Sequence, residues 1–479
     1  MKREFLINIL FLLGINLLIK PFYIFGIDRT VQNVVAPGVY GLYFTLYNFT
    51  YLFQIINDFG IQNFNNRNIS QYRHLIDKYF PNILILKGLL GMLYLVVILI
   101  AGVIVGYTPF LGLLMLIGFN WLLNALVLYL RSNISGLGLY RMDSLISVLD
   151  KLLLIIVCSI LLWANPWQEA FRIEWFVYAQ TFSLGTTAVT AFFIVLPKLQ
   201  RLKFRFQPPF LWLTLKRSYP YALVIFLMTA YTRVDSVMIE RMLPNGTLEA
   251  DLYASAYRLL DASNMIGFLF AGLLLPMFAR LIKERGNYAE LAEMSLQFIW
   301  AGAFALCSAC WFFQEDIMVL LYANGSAYSG KILAYLMLSF IAISGSYIFG
   351  TLLTANGNLM QMNRIFVIGL LLNLGLNYLL IPEYKALGAA VATCGTQFFV
   401  FIGQVILCQK LLKVYLNASV AARLMAFGVS LVVSTYLIQT YVSLPWTVNF
   451  LLSISVALPL AFLFQLMEIK QFLRQNLPK

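Results

Sequence analysis

The stretches SYPYALVIFLMTAYTRVDSVMIE (218–240) and LYASAYRLLDASNMIGFLFAGLLLPMF (252–278) are each long and apolar enough to cross a membrane as a helix. Both nevertheless carry charge in their interior, at Arg233, Asp235, Arg258 and Asp261. An ionisable side chain within a spanning helix is costly unless it faces a partner or water. The two stretches therefore predict a helical membrane protein with a polar interior.

The same composition extends along the whole chain. Hydrophobic residues make up 61% of the 479 positions and charged residues only 11%, and apolar runs of membrane-spanning length recur throughout. We predict an all-α polytopic membrane protein with about fourteen transmembrane helices. The predicted helices lie at 5–26, 38–60, 82–106, 110–130, 144–163, 173–196, 218–240, 252–278, 294–313, 331–354, 363–381, 386–409, 419–441 and 445–467.

Basic residues are distributed unevenly between the predicted helices, and this predicts orientation. Lys2 and Arg3 precede the first apolar run, which no cleavage site follows, so we expect it to remain as a helix. Loops on the same side carry most of the net charge of +13, which indicates cytoplasmic loops and not a nucleic-acid partner. Few basic residues fall on the other side, namely Arg29, Arg172, Arg241, Lys331 and Lys385. Both termini are therefore predicted to be cytoplasmic.

The cysteines and the histidine indicate neither a metal site nor a disulfide framework. All five cysteines lie in apolar runs, and the Cys307-x-x-Cys310 pair has no second pair. His74 is the one histidine of the chain. We interpret the cysteines as small buried residues and expect no metal and no cofactor.

Five basic residues fall inside predicted helices and are the candidates for binding an anionic substrate: Lys20, Lys87, Lys151, Arg233 and Arg258. Lys20 has no carboxylate within a helical turn, so it is the strongest candidate. The arginines have an alternative role as structural ion pairs with Asp235 and Asp261, and Lys87 and Lys151 have the alternative of reaching the membrane surface. Asp235, Asp261 and Asp58 are candidates for supporting or coupling roles.

A weak internal repeat predicts two pseudo-symmetric lobes of six helices each. One pair of stretches shares its position in the lobe and its aromatic spacing: GVYGLYFTLYNF (38–49) and DLYASAYRLLDA (251–262). A second pair shares a Gly-containing polar turn at the end of the fourth helix of each lobe: RSNISGLGLYRMDS (131–144) and LLTANGNLMQMNR (352–364). The predicted segments are an N-lobe at 1–197, a basic linker at 198–217, a C-lobe at 218–414 and two further helices at 415–479. The linker is predicted to form either a short helix on the inner leaflet or an ordinary basic loop.

The segment 352–397 resembles polysaccharide flippases. Their "IP-x-y-G-x-x-GAA-x-AT" signature is similar to Ile381–Thr393 here, except that Lys385 stands where the family usually has glycine. Further similar stretches are 57–70, 251–262, 273–281 and 320–333. The chain resembles the Wzx-type repeat-unit transporters of the multidrug/oligosaccharidyl-lipid/polysaccharide exporter superfamily. Small residues of the matching segment, such as Gly388, are expected to allow close helix packing.

This resemblance implies a function. It implies a flippase that moves an undecaprenyl-pyrophosphate-linked oligosaccharide from the cytoplasmic to the periplasmic leaflet of a bacterial inner membrane. The products would be O-antigen, lipopolysaccharide or capsule. No enzyme activity is expected. The buried cations would bind the phosphates, and tyrosines would contact the sugars, the candidates being Tyr43, Tyr47, Tyr231 and Tyr257. Coupling to a Na⁺ or H⁺ gradient or to membrane potential, and a polymerase or ligase as partner, are further expectations.

Three alternative functions remain open at this stage. A multidrug antiporter of the same superfamily would use carboxylates in its N-lobe, and the first predicted helix contains none between Phe5 and Gly26. Another lipid-linked precursor, such as lipid II, is a second possibility for the cargo. A membrane glycosyltransferase or ligase would need catalytic groups in an outer loop, where 164–172 and 314–331 offer only Glu169, Glu315 and Asp316.

The predicted topology is testable with reporter fusions that are active only outside the cytoplasm. We expect activity after Trp167 and Ala323 and no activity after Lys203 and Arg285, because basic loops are retained inside. A reporter that is active after Lys203 would contradict the predicted orientation of the lobes.

Overall fold

The described part of the chain is helical, and no strand occurs in it. The structure is a computed structural model that describes residues 14–16, 18–62, 65, 69, 76–164, 170–199, 208–415 and 417–466. The chain folds into two compact units, Met1–Asp251 and Leu252–Lys479. The predicted all-α membrane fold is confirmed.

Twelve helices in the described ranges are long and apolar enough to cross a membrane, and each matches one of the predicted helices from 82–106 to 445–467. The predicted count of fourteen is not confirmed. Much of the first predicted helix lies outside the described residues, and the second is interrupted at Phe53.

The α-helices of the first unit whose bounds the structure describes run from α1 to the start of α9. They are α1 Arg29–Val34, α2 Val39–Leu52, α3 Gln54–Asp58, α4 Ile76–Val105, α5 Leu111–Gly136, α6 Tyr140–Ser159, α7 Ile173–Val195, α8 Pro208–Met242 and the beginning of α9, Gly246–Lys283. A π-helix, Tyr23–Asp28, leads directly into α1, and a second, Ile160–Ala164, extends α6.

The second unit contains the rest of α9, and eight further helices follow in its described residues up to 466. They are α10 Tyr288–Phe312, α11 Gln314–Leu321, α12 Ala327–Ala355, α13 Leu359–Tyr384, α14 Ala386–Leu412, α15 Ala418–Tyr441, α16 Trp446–Ser455 and α17 Ala457–Leu463. The chief packing partners of α12 are α14 and α10. Gly388 permits the tight turn between α13 and α14, since a Cβ there would lie 2.4 Å from the Leu380 carbonyl oxygen.

In the first unit, α2 packs against α8 and α5 packs against α7. The start of α2 also touches the start of α9, where a Cβ on Gly41 would lie 2.0 Å from the Thr247 carbonyl oxygen. Nearby, the Gln32 amide donates a 2.6 Å hydrogen bond to the Asp251 carboxylate, which also accepts from the Gly38 amide at 3.2 Å. Small residues and a satisfied buried carboxylate therefore fix this contact.

The carboxyl end of α8 is anchored to the turn between α4 and α5. The Tyr107 hydroxyl donates to the Glu240 carboxylate at 3.1 Å, and the Arg241 guanidinium lies 3.9 Å from the centroid of the Tyr107 ring. Burial is the main cause that raises the pKa of Tyr107, so this hydroxyl remains a donor at physiological pH.

The two units share one turn geometry, at positions that the sequence repeat links. Gly138 follows α5 and Gly357 follows α12, each with φ of 83°. In both turns the residue after the glycine donates its backbone N–H to a carbonyl five residues earlier, Leu139 to Ile134 and Asn358 to Leu353. Glycine is favoured at this left-handed end of a helix, so the local sequence similarity reflects a common turn.

Two predicted boundaries are wrong. The first helix does not end near Gly26 but continues through the π-helix and α1 to Val34. The helix predicted to begin at 218 begins at Pro208, because Pro208–Arg217 forms the first turns of α8. Residues 200–207 of the predicted linker lie outside the described residues. The boundary between the two compact units falls one helix later than the predicted linker, and the four predicted segments stay a prediction.

The residue that departs from the family signature adopts an unusual backbone conformation. Lys385 has φ of 55° and ψ of −134°, which an L side chain disfavours and glycine tolerates. We expect Lys385→Gly to raise the free energy of unfolding by about 1 kcal/mol, measured by thermal unfolding in detergent. Lys385→Ala is the control, since it removes the side chain but keeps Cβ, and equal stability of the two variants would contradict the strain.

Candidate functional site

The break between α2 and α3 shapes the interior of the first unit. Phe53 has φ of −89° and ψ of 1°, outside the helical region, and the interrupted helix leaves carbonyls without their usual partners. The Tyr94 hydroxyl of α4 donates to the Thr50 carbonyl at 3.0 Å, and the Asn57 side chain donates to the Trp121 carbonyl at 3.0 Å. Neighbouring helices thus stabilise the break.

Lys87 of α4 binds the end of α3. Its ammonium group donates to the Asp58 carboxylate and, at 3.3 Å, to the Asn57 carbonyl. A cation is favourable at the carboxyl end of a helix, and the nearby carboxylate compensates its burial. Lys87 is 5% exposed, so the expectation that it reaches the membrane surface is wrong. Its predicted contact with substrate stays a prediction.

A second cation, Lys151 of α6, lies beside the residues that lead into α1. Its ammonium group is 3.2 Å from the Asp150 carboxylate and 4.8 Å from the centroid of the Tyr23 ring. Lys20 lies within electrostatic reach of both Lys151 and Asp150. The sequence contains no carboxylate near Lys20, but the fold brings Asp150 close to it from another helix.

Asp28 is a buried carboxylate that sequence reasoning missed. It is 1% exposed, and it accepts hydrogen bonds from the Tyr40 hydroxyl at 2.8 Å and the Tyr23 hydroxyl at 3.4 Å. It also interacts electrostatically with Lys151. The sequence does indicate a longer first helix, because no helix-breaking residue separates Gly26 from Val34. A helix that continues to Val34 includes Asp28.

Aromatic side chains form a row along α2. Tyr43, Tyr47 and Tyr51 follow at intervals of four residues, which places them on one face of the helix. Trp121 of α5 lies against two of them, with ring centroids 4.9 Å from Tyr47 and 4.4 Å from Tyr51. The Gln180 side chain donates to the Tyr43 hydroxyl at 2.8 Å. We call Tyr43, Tyr47, Tyr51 and Trp121 the aromatic row.

Cations lie near two members of the aromatic row, Tyr47 and Tyr51. Lys151 interacts electrostatically with Tyr47, and the Arg233 guanidinium lies 5.8 Å from the centroid of the Tyr51 ring. A guanidinium over an aromatic face is a favourable contact. Asp235, two residues along α8, is fully buried. The first unit therefore combines cations and amphipathic aromatic rings in one interior region.

The second unit contains the remaining predicted pair. The Arg258 guanidinium lies 3.8 Å from the Asp261 carboxylate, and the two residues are three positions apart on α9. Their placement on one face of the helix is confirmed. Tyr257, predicted to contact sugars, packs beside Tyr253 with ring centroids 5.5 Å apart, while Tyr231 is buried in α8 of the first unit.

The cysteines are all buried and none forms a disulfide. Within the described ranges, no group of three or more His, Cys, Asp and Glu side chains is placed to hold a metal ion. His74 lies outside the described residues.

Comparison with solved structures gives the fold class. A lipid II flippase, MurJ, in an inward closed conformation is similar with a TM-score of 0.73 and 13% identity, over 98% of this chain and 99% of that chain. An inward-facing multidrug resistance MATE family transporter is similar with a TM-score of 0.63 and 13% identity, over 81% of this chain and 94% of that chain. The eukaryotic MATE transporter AtDTX14 is similar with a TM-score of 0.55 and 13% identity, over 88% of this chain and 99% of that chain. A search of curated proteins gives no match.

The fold is therefore that of the multidrug/oligosaccharidyl-lipid/polysaccharide exporter superfamily, as the sequence resemblance implies. The family model described as "Polysaccharide biosynthesis protein" matches residues 5–282, and the chain belongs to that family. The structural neighbours named above are a flippase and two transporters.

The ion pair between Lys87 and Asp58 is testable as a structural element. We expect Lys87→Met to cost about 3–5 kcal/mol of stability, because it leaves the Asp58 carboxylate uncompensated, and the double variant with Asp58→Asn to recover much of that loss. Thermal unfolding of the purified protein measures both. Arg280→Ala, which breaks a solvent-exposed pair with Glu284, is the control and should change little. A Lys87→Met protein of normal stability would contradict the structural role.

Proposed function

We propose that the protein is a flippase that carries an undecaprenyl-pyrophosphate-linked oligosaccharide from the cytoplasmic to the periplasmic leaflet of a bacterial inner membrane. Its membership of the polysaccharide biosynthesis family supports this class of cargo. The observation that carries the proposal is the combination, in one unit, of Lys20 and Lys151 with the aromatic row. Both termini are proposed to be cytoplasmic.

The chemistry of the cargo fits this arrangement. A pyrophosphate bearing sugars cannot cross hydrocarbon unaided, so it requires cations and hydrogen-bond donors inside the protein. Lys20, Lys151 and Arg233 supply positive charge for the phosphates. The hydroxyls and rings of Tyr43 and Tyr47 supply amphipathic surfaces for the sugars. Exposure of this region first to one side and then to the other would complete transport.

Other lipid-linked precursors share the same head group chemistry. The similarity to the lipid II flippase is compatible with a cargo such as lipid II, for which the same cations would serve. Surface polysaccharides such as O-antigen, lipopolysaccharide and capsule are the products we expect, and a polymerase or ligase of that pathway is the expected partner. Measurement of the transport of the oligosaccharide-linked lipid and of lipid II by this protein distinguishes the two cargoes.

One observation favours a multidrug antiporter as the second candidate. The sequence argued against it because the predicted first helix contained no carboxylate, yet the helix extends through the buried Asp28. Asp28 therefore joins Asp235 and Asp261 as a candidate for coupling to an H⁺ or Na⁺ gradient, the alternative being direct response to membrane potential. Efflux of cationic drugs in the absence of any effect on surface polysaccharide would favour this candidate.

Substitution of the two lysines tests the proposed function. We expect Lys20→Ala and Lys151→Ala each to abolish or strongly reduce surface polysaccharide in a cell that depends on this protein, while the protein still accumulates in the membrane. Loss of one charge-assisted hydrogen bond, about 1.5–3 kcal/mol, weakens binding by roughly tenfold to a hundredfold. Accumulation of lipid-linked precursor in the inner leaflet is the second readout.

Two controls separate the site from the scaffold. Lys151→Arg retains the charge and should keep more activity than Lys151→Ala. Lys216→Ala removes an exposed lysine of α8 and should leave transport unchanged. Full activity of both Lys20→Ala and Lys151→Ala would remove these lysines from the site and contradict the proposal.

A further inference from the structure

A mainly apolar pocket lies in the first unit between α3 and α8. The empty space within it is about 340 Å³, and this figure includes space that is open to the exterior. The residues that line it come from the end of α2, from α3 and the turn after it, and from one face of α8, and they include Tyr51, Asp58 and Ala222.

The helix break creates one wall of this pocket. After Phe53 the chain forms only the short α3, and then it turns at Phe59, with φ of 50°, and at Gly60, with φ of 73°. The hydrogen bonds from Tyr94 and Lys87 to α2 and α3 hold this irregular backbone in place. Groups of α4 therefore satisfy the backbone that forms this wall of the pocket.

The opposite wall changes from apolar to polar along α8. Ala222, Ile225, Phe226 and Thr229 line the pocket, and their spacing places them on one helical face. Arg233 follows Thr229 by one turn, and its guanidinium lies over the ring of Tyr51, which itself lines the pocket. Tyr51 thus belongs both to the pocket and to the aromatic row. The apolar space ends where the cationic and aromatic region begins.

We propose that this pocket binds the isoprenoid chain of the transported lipid, at the units next to the pyrophosphate. The inference rests on the proposed function and adds a subsite to it. With the first isoprene units between α3 and α8, the pyrophosphate lies near Arg233 and the sugars extend along the aromatic row toward Lys151. Asp58 does not repel the phosphates, because its charge is compensated by Lys87.

The neighbouring charge favours this occupant over a bilayer phospholipid. An acyl chain needs only the apolar wall, whereas a chain that continues into a pyrophosphate also uses the cation at the polar end and the ring of Tyr51. The pocket is joined to the candidate head-group site through a shared residue, so a single amphiphile occupies both. Occupation by ordinary phospholipid is the alternative outcome of the test.

The test uses the full-length protein in proteoliposomes and two photoreactive probes. One is a polyprenyl-pyrophosphate oligosaccharide with a diazirine in the isoprene units next to the pyrophosphate, and the other is phosphatidylethanolamine with a diazirine in its acyl chain. Cross-linked peptides are located by mass spectrometry, and probe translocation is measured in the same vesicles. Ala222→Trp fills the pocket from a buried position of α8. Met228→Trp, at a 45% exposed position outside the pocket, is the matched control.

We expect the cargo probe to label residues 51–60 and 222–229 of the wild type. Ala222→Trp should reduce labelling and translocation several-fold, while Met228→Trp should retain both. The smaller change Ala222→Leu provides the same comparison if Ala222→Trp does not accumulate, with a weaker effect of the same sign.

Three results would overturn the pocket assignment while wild-type translocation persists: cargo labelling confined to other segments, normal translocation and labelling in both Ala222 variants, or phospholipid labelling of the pocket that excess cargo does not displace. Failure of the wild type to translocate the cargo overturns the proposed function itself, and the pocket assignment with it. The wild-type translocation measurement therefore distinguishes the two failures.

Discussion

Charge within an apolar helical protein is the constraint on which the interior of this molecule depends. A charged side chain in a spanning helix is stable only beside a partner, a polar group or water. The structure satisfies this condition in different ways at different positions. Lys87 binds Asp58 at the end of a short helix, Lys151 lies beside Asp150 and the ring of Tyr23, and Arg258 pairs with Asp261 on its own helix. Each of these three cations has a carboxylate partner, and Lys151 is the one that we propose for ligand binding.

The same constraint applies to the backbone. A break in a spanning helix exposes carbonyls that hydrocarbon cannot solvate, so irregular backbone survives only where other groups of the protein satisfy it. The interruption at Phe53 meets this requirement through Tyr94 and Lys87 of α4. The break in turn positions Tyr51 at the junction between an apolar pocket and the aromatic row. A structural ion pair thus supports the geometry of the proposed binding region, and its Asp58 member also lines the pocket.

Hydropathy predicted the positions of the long helices, because the free energy of removing apolar side chains from water accumulates over each span. The repeat predicted the turns at Gly138 and Gly357, since a left-handed helix end has a local sequence signal. The break at Phe53 was not predicted, because residues 49–58 contain neither proline nor glycine, and the groups that stabilise it come from α4. Asp28 was missed because the predicted helix stopped at a glycine, and its partner Tyr40 lies beyond a turn. The pair of Lys87 with Asp58 depends on folding that no local pattern encodes.

Recognition of a pyrophosphate-bearing lipid by the interior of the first unit, through Lys20 and Lys151, is the central claim. The most direct measurement is the affinity of the purified full-length protein, in nanodiscs, for a polyprenyl-pyrophosphate oligosaccharide and for the same lipid with a single phosphate. We predict tighter binding of the pyrophosphate lipid by the wild type, and a much smaller difference for the protein with both Lys20→Ala and Lys151→Ala. Equal affinity of the wild type for the two lipids, or an unchanged preference in the double variant, would contradict this claim.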